Sequence, residues 1–188
     1  MRLFVGLSLP DTVRQHALML MGGVKGARWQ REDQLHITLR FLGEVDGAMA
    51  GDVDEALGSI TMDRFSLSLA GVGVFGTLKA PRILWAGVQP EHQIRRLHDK
   101  VERAMIGLGL VPDGRKFSPH VTLARFSTSN RGRKRNPDLE VGGLGAFLQA
   151  HDGFRTPPFE VSRFVLFSSH LGHDGAIYRA EAEYPLGP

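Results

Sequence analysis

His36-Ile37-Thr38-Leu39 and His120-Val121-Thr122-Leu123 repeat one pattern, His-aliphatic-Thr-Leu, 84 residues apart. In an extended strand alternate residues share a face, so each His and its Thr point one way while the aliphatic residue and the Leu point into a core. Two such strands facing one cleft present two imidazoles and two hydroxyls. A pair of imidazoles near neutral pH supplies a general base and a general acid, and the hydroxyls donate to an oxyanion. Phosphodiester cleavage without a metal needs those groups. A single His-x-Thr on a strand is ordinarily structural, with its imidazole hydrogen-bonded at the edge of a core. Two copies, each on an apolar strand behind a helix, favour a shared site.

The elements that must position these residues alternate from the start. Arg2 to Leu9 predicts a strand, and Pro10-Asp11 with Val13, Ala17, Leu20 and Met21 predicts a helix stopped at Gly22-Gly23. Leu35 to Leu42 is the first His-Thr strand. Val53, Ala56, Leu57 and Ile60 recur at helical spacing, while Phe65, Leu67 and Leu69 alternate as in a half-buried strand. Arg82 to Val88 is another strand, followed by the clearest amphipathic helix, with Ile94, Leu97, Val101, Ala104, Met105 and Leu108 on one stripe. Pro119 to Phe126 is the second His-Thr strand. A helical turn is expected around Phe147 and Leu148, and two closing strands over Phe159 to Ser168 and Ile177 to Leu186. Each His-Thr strand thus follows a helix in a half-chain of similar content. The reading is two sheet-and-helix lobes from an internal duplication, with the cleft on a pseudo-twofold axis. No Pro- or Ser-rich linker separates the halves, so residues 1–188 are expected to form a single bilobal domain.

Composition narrows the chemistry. The 188 residues are 42% hydrophobic and 23% charged, an ordinary globular balance with enough chain to bury a core. Cysteine is absent, which removes disulfides, thiolate nucleophiles and cysteine-ligated clusters together. The apolar run Leu3 to Leu9 is too short for a secretory core or a membrane span, and no later run is long enough, so a cytoplasmic protein with no membrane partner is expected. Net charge is +3, and Arg125, Arg131, Arg133, Lys134 and Arg135 fall in one stretch without an acid. That stretch reads either as a phosphate-backbone contact or as a solvated loop.

Three signals point elsewhere. Gly71-Val72-Gly73-Val74-Phe75-Gly76 matches the glycine spacing of dinucleotide sites, but the residues after it lead into a strand where the fingerprint needs a helix, so a turn or bulge explains it better. His170, His173 and Asp174 lie close enough in sequence to hold a metal, although loop histidines of this kind more often face solvent, and no metal site is assigned. His16, His92, His98 and His151 are expected on the surface.

The two tetrapeptides, with Arg2-Leu3-Phe4-Val5, Ala27-Arg28-Trp29, Arg40-Phe41-Leu42-Gly43-Glu44, Pro81-Arg82-Ile83-Leu84-Trp85, Phe117-Ser118-Pro119, Ala124-Arg125, Ser168 and Tyr178, make the chain resemble the two-histidine phosphoesterase superfamily. The likeness is strongest to its RNA 2′,3′-cyclic phosphodiesterase branch, also called 2′-5′ RNA ligase-like proteins. It spans nearly the whole chain, and residues 127–154 carry none of it. The resemblance implies an α+β bilobal fold, with two antiparallel-rich sheets and outer helices related by a pseudo-twofold around an active-site cleft. It implies hydrolysis of a terminal 2′,3′-cyclic phosphate on RNA to a 2′-phosphate, with no metal or nucleotide cofactor, by a monomer whose substrates include candidates such as tRNA fragments. By analogy with the family, His120 is the base toward water and His36 the acid toward the 3′ oxygen, a direction the symmetric sequence cannot set. Thr38 and Thr122 would bind the non-bridging oxygens, and Arg125 would add a cationic donor or stack on a base. Phe41 stands at the position equivalent to Arg125, and its ring serves either base stacking or core packing. The alternatives are a 2′-5′ RNA ligase, a small cyclic-nucleotide phosphodiesterase, and an RNA-end-binding protein without turnover.

Overall fold

The computed structural model describes residues 1–127, 142–173 and 175–187. The described elements run β1 (Arg2–Ser8), α1 (Asp11–Met19), β2 (Ala27–Trp29), a 3-10 turn (Glu32–Gln34), β3 (His36–Glu44), α2 (Gly47–Gly58), β4 (Phe65–Thr77) and β5 (Ala80–Gln89). Then follow α3 (Glu91–Gly107), β6 (His120–Phe126), α4 (Leu144–Ala150), β7 (Phe159–Val161), β8 (Arg163–Gly172) and β9 (Gly175–Pro185).

The helices form where the sequence supplies both a start and an apolar stripe. Pro10 and Asp11 open α1, whose Val13 and Ala17 are buried. The Asp46 carboxylate accepts from the Met49 amide at 2.8 Å and caps α2. In α3 the stripe Ile94, Leu97, Val101 and Met105 is fully buried. These side chains meet Ile37, Leu39, Val121 and Leu123 in one core. Burial of an aliphatic side chain of this kind contributes roughly 1.5–3 kcal/mol, so the residues between and after each His and Thr hold the strands against the helices.

The strands lie in the order β7-β4-β5-β6-β3-β1-β8-β9, with β2 beside β6 and every strand pair antiparallel. The two expected sheets are the two halves of this path, four strands each, and they join where Ile37 pairs with Val121. The units β1-α1-β3 and β5-α3-β6 repeat one another about that junction. The halves of the sheet are nevertheless not the halves of the chain. The short Leu78-Lys79 link folds β4 back on β5, so β4 joins the second His strand's sheet, while β8 pairs with β1 and joins the first.

Two expectations need correction. The single strand expected over Phe159 to Ser168 breaks at Ser162, so that β7 pairs with β4 and β8 with β1 and β9, at opposite ends of the path. Its apolar pattern is continuous because Phe159, Val161, Phe164, Val165 and Leu166 are all buried in one place or the other. The short strand Ala27–Trp29 was not anticipated as an element. Against β6 it pairs Ala27, Arg28 and Trp29 with Phe126, Arg125 and Ala124. The glycine pattern at 71–76 lies inside β4, with a register shift between Leu69 and Val72 and Gly71 at φ +68°. It is a bulge, as expected, and Gly73 is required by close approach, since a Cβ there would stand 2.3 Å from the Trp85 ring. His98 is half-buried where an exposed residue was expected. Its ring stacks on Phe117 with centroids 4.0 Å apart and a side chain only 15% exposed.

Candidate active site

β3 and β6 run antiparallel beside each other in the middle of the path, and the register Ile37↔Val121, continued one residue each way, faces His36 toward Thr122 and Thr38 toward His120. The alternation predicted for the two tetrapeptides holds. Ile37, Leu39, Val121 and Leu123 are buried on the helix side, and both histidines and both threonines are half-buried on the other.

Each imidazole is fixed in the same way. The His36 Nδ1 lies 2.8 Å from the Gln34 carbonyl and the His120 Nδ1 lies 2.7 Å from the Ser118 carbonyl, in each case two residues upstream. A carbonyl only accepts, so each Nδ1 carries the proton and each neutral ring keeps a lone pair at Nε2. The Thr38 hydroxyl stands 3.0 Å from the His36 Nε2 and donates to it in this tautomer. The rings are walled by aromatics. His36 packs against Phe4 and edge-on to Tyr178, with centroids 4.9 and 5.0 Å away, and His120 packs edge-on to Phe75 at 4.8 Å with Trp85 behind it.

This dry setting disfavours the imidazolium form. Burial lowers His36 from 6.5 to about 4, opposed by the Gln34 carbonyl and assisted by the positive field of Arg125 and by His120. His120 is also lowered, again by burial first, opposed by the Ser118 carbonyl and assisted by Arg125. Both rings are therefore neutral in the empty site at neutral pH. An anion between them reverses the sign, because negative charge beside an imidazole stabilises its protonated form.

The remaining two predicted residues reach the same face through a feature that strict alternation does not contain. Counting by twos from His36 or His120 puts Phe41 and Arg125 on the wrong side. In both strands the leucine after the threonine is extra: Val5 pairs with Arg40 and Gly6 with Thr38, skipping Leu39, and Leu84 pairs with Ala124 and Trp85 with Thr122, skipping Leu123. The paired bulges turn Arg40 and Ala124 into the core and swing Phe41 and Arg125 out to the histidine side. Phe41 is 47% exposed with its ring 5.7 Å from that of Phe4, so the core-packing option for it is removed. Arg40 instead is buried and forms an ion pair with Glu102 of α3 at 2.5 Å.

Sequence reasoning did not assign roles to Phe4, Phe75, Trp85, Phe167 or Tyr178. Their positions carry no common spacing to the tetrapeptides, and only strand pairing brings them to the rings. Beside His36 a cavity of about 380 Å³ opens between Phe4, Phe167, Tyr178 and Leu35, with Arg14, Glu32 and Asp33 at its rim. Of the candidate ligands at the β8–β9 hairpin, His170 has a hydrogen-bond partner of its own. The His170 Nε2 lies 2.8 Å from the Ser168 hydroxyl, which also donates to Glu181, and Asp174 lies outside the described residues. Among the described residues no three His, Cys, Asp or Glu side chains are grouped as a metal site. Arg131, Arg133, Lys134 and Arg135 of the basic stretch also lie outside the described residues. Among those described, no helix is long and apolar enough to cross a membrane.

The model of the LigT-like phosphoesterase family matches residues 7–85 and 87–178, one stretch for each copy of the tetrapeptide. The chain belongs to the LigT-like phosphoesterase family. Among its relatives, an RNA 2′,3′-cyclic phosphodiesterase of Aeropyrum pernix is 36% identical over 149 residues, covering 79% of this chain and 80% of that protein. A protein of the same name from Archaeoglobus fulgidus is 31% identical over 182 residues, covering 95% and 97%. In structure, Escherichia coli LigT complexed with 3′-AMP superposes with a TM-score of 0.78 at 24% identity, covering 100% of this chain and 98% of LigT. TT0787 of Thermus thermophilus gives 0.76 at 23%, covering 98% and 97%. The LigT fold is thus shared over the whole chain, and the duplicated match agrees with the repeated β-α-β units.

Proposed function

We propose that this chain is an RNA 2′,3′-cyclic phosphodiesterase that opens a terminal cyclic phosphate to a 2′-phosphate and a free 3′-hydroxyl, with His120 as base and His36 as acid. The observation that carries the reading is the pair of imidazoles on neighbouring strands, each held by Nδ1 to an upstream carbonyl, which leaves both Nε2 atoms for proton transfer. Relatives covering most of the chain bear that activity in their names.

In the reaction a water oxygen bonds to phosphorus as its proton passes to His120, and the bond from phosphorus to the 3′ oxygen breaks as His36 gives that oxygen a proton. The two rings then exchange their protonation states and reset through solvent. In-line displacement places the attacking water and the departing oxygen on opposite sides of phosphorus. The departing oxygen stays attached to the ribose, so the nucleoside belongs on the acid's side. The cavity beside His36 supports that direction. A lowered His36 is a poor proton reservoir in the empty site, but the bound phosphate monoanion raises it, so substrate charge prepares its own acid. Thr38 and Thr122 hold the non-bridging oxygens and strengthen their bonds as charge builds. Arg125 adds a cation, and the exposed Phe41 ring offers a stacking surface. This reading takes residues 1–188 as one bilobal domain acting as a monomer in the cytoplasm, and RNA ending in a 2′,3′-cyclic phosphate as the partner.

The test is incubation with such an RNA in the presence of EDTA, followed by identification of the end formed. A 2′-phosphate end is expected at a rate the chelator does not change. A 3′-phosphate, joined strands, or no turnover overturns the assignment.

A further inference from the structure

Arg125 reaches the cleft through the Leu123 bulge, and on its other side the β2–β6 register sets Arg28 directly opposite it. The Gln30 amide donates to the Leu123 carbonyl at 2.8 Å and pins the end of β2 beside that bulge. Residues directly opposite across antiparallel strands share a face, with Cβ atoms about 4.5–5.5 Å apart, and like charges placed so are destabilising. Neither guanidinium has an acidic partner among the described residues. Arg14, Arg31, Arg40, Arg64, Arg95, Arg115 and Arg163 each have a carboxylate partner, whereas Arg28 and Arg125, like Arg2, Arg82 and Arg179, have no hydrogen bond or ion pair among the described residues, and of these five only Arg28 and Arg125 stand opposite one another across a strand pair. Two opposed cations with no acidic partner among the described residues, on and beside the strand that carries His120, offer a place for an anion.

We propose that Arg28 and Arg125 form a second phosphate subsite for the phosphodiester on the 5′ side of the terminal nucleotide, so that the enzyme selects strand ends over free mononucleotides. This rests on the phosphodiesterase reading. The reacting phosphate lies between the histidines, and Arg125 is near enough to act on both through its charge. Arg28 stands one strand further out. An RNA whose last phosphate lies at the histidines must leave the cleft, and the first anionic group on its way out is that phosphodiester. A nucleoside 2′,3′-cyclic phosphate has no such group.

The experiment compares wild type, Arg28→Gln and Arg28→Lys on a nucleoside 2′,3′-cyclic phosphate and on a short RNA carrying the same end. Arg28→Gln is expected to raise KM for the RNA by about threefold to fivefold, the scale of one exposed ionic contact. It leaves the mononucleotide unchanged and reduces the slope of log affinity against log salt by ~0.7, the value for one phosphate contact on a single strand. Arg28→Lys keeps the slope. Equal losses on both substrates, or no change on either, overturn the subsite while leaving the phosphodiesterase assignment intact. Absence of turnover by wild type on both substrates overturns the assignment and the subsite with it.

Discussion

On the His36 side of the cleft the imidazole is enclosed by Phe4, Phe167 and Tyr178, bonded at both nitrogens, and held down to about 4 by burial. On the His120 side Phe75 and Trp85 form a thinner wall, and among the described residues the ring's hydrogen bond is made by Nδ1. The halves share the tetrapeptide, the upstream carbonyl and the bulge. They differ at the residue the bulge delivers, an exposed aromatic in one and a guanidinium in the other. The repeated β-α-β units thus supply a symmetric frame, and the proposed substrate, which has a water side and a ribose side, is matched by the residues the two halves do not share. The same division appears on the inner face, where the bulge buries Arg40 in one strand and Ala124 in the other.

The comparison breaks most visibly at the imidazoles. His36→Ala and His120→Ala are each expected to lower kcat on the cyclic-phosphate RNA by about a hundredfold to ten-thousandfold, the usual range for a positioned acid or base. The double variant should lose far less than the product of the two, since they act as one unit. If either single variant turns over near the wild-type rate while folded, the symmetric pair is not the machinery.

Burial separates the halves in a second way. An unfolded His36 takes up its proton near 6.5, whereas the folded one does so only near 4. Between these values the unfolded chain binds the extra proton, so stability is full above about 6.5 and falls as pH drops through the window, by at most ~3 kcal/mol. Urea midpoints at pH 7 and pH 4.5 measure it. His36→Phe, which suits the aromatic wall, should flatten the difference between the two pH values. An undiminished acid slope in that variant means that the loss comes from other groups.

The smallest effects sharpen the contrast between the residues that the bulges deliver. Arg125→Ala is expected to cost roughly tenfold in kcat/KM, in keeping with a hydrogen bond to a charged group. Phe41→Ala should raise KM about threefold or more with kcat unchanged, because stacking on an exposed ring holds ground state and transition state alike. Its thermal midpoint should stay close to wild type, since the ring is 47% exposed. A large loss of stability instead returns Phe41 to a packing role.

Much of this frame is legible without coordinates. The period of two in His-x-Thr-x assigns imidazole and hydroxyl to one face and two aliphatics to the other, because that periodicity is a local property of an extended chain. The stripe of α3 and the Pro-Asp start of α1 are local for the same reason. Which strands become neighbours is not local. The split at Ser162 is hidden because both pieces are buried, and while the two-residue Leu78-Lys79 link places β4 beside β5, the pairing of β8 with β1 is a long-range contact that no local signal marks. The bulges at Leu39 and Leu123 are the clearest case. Nothing in the spacing marks an extra residue, since a bulge exists only in relation to the strand it fails to pair with. The sequence by itself therefore determined the two imidazoles and two hydroxyls and their common face. Tertiary pairing alone decided that Phe41, Arg125 and Arg28 share that face, because a side chain's direction after a bulge is a property of two strands together.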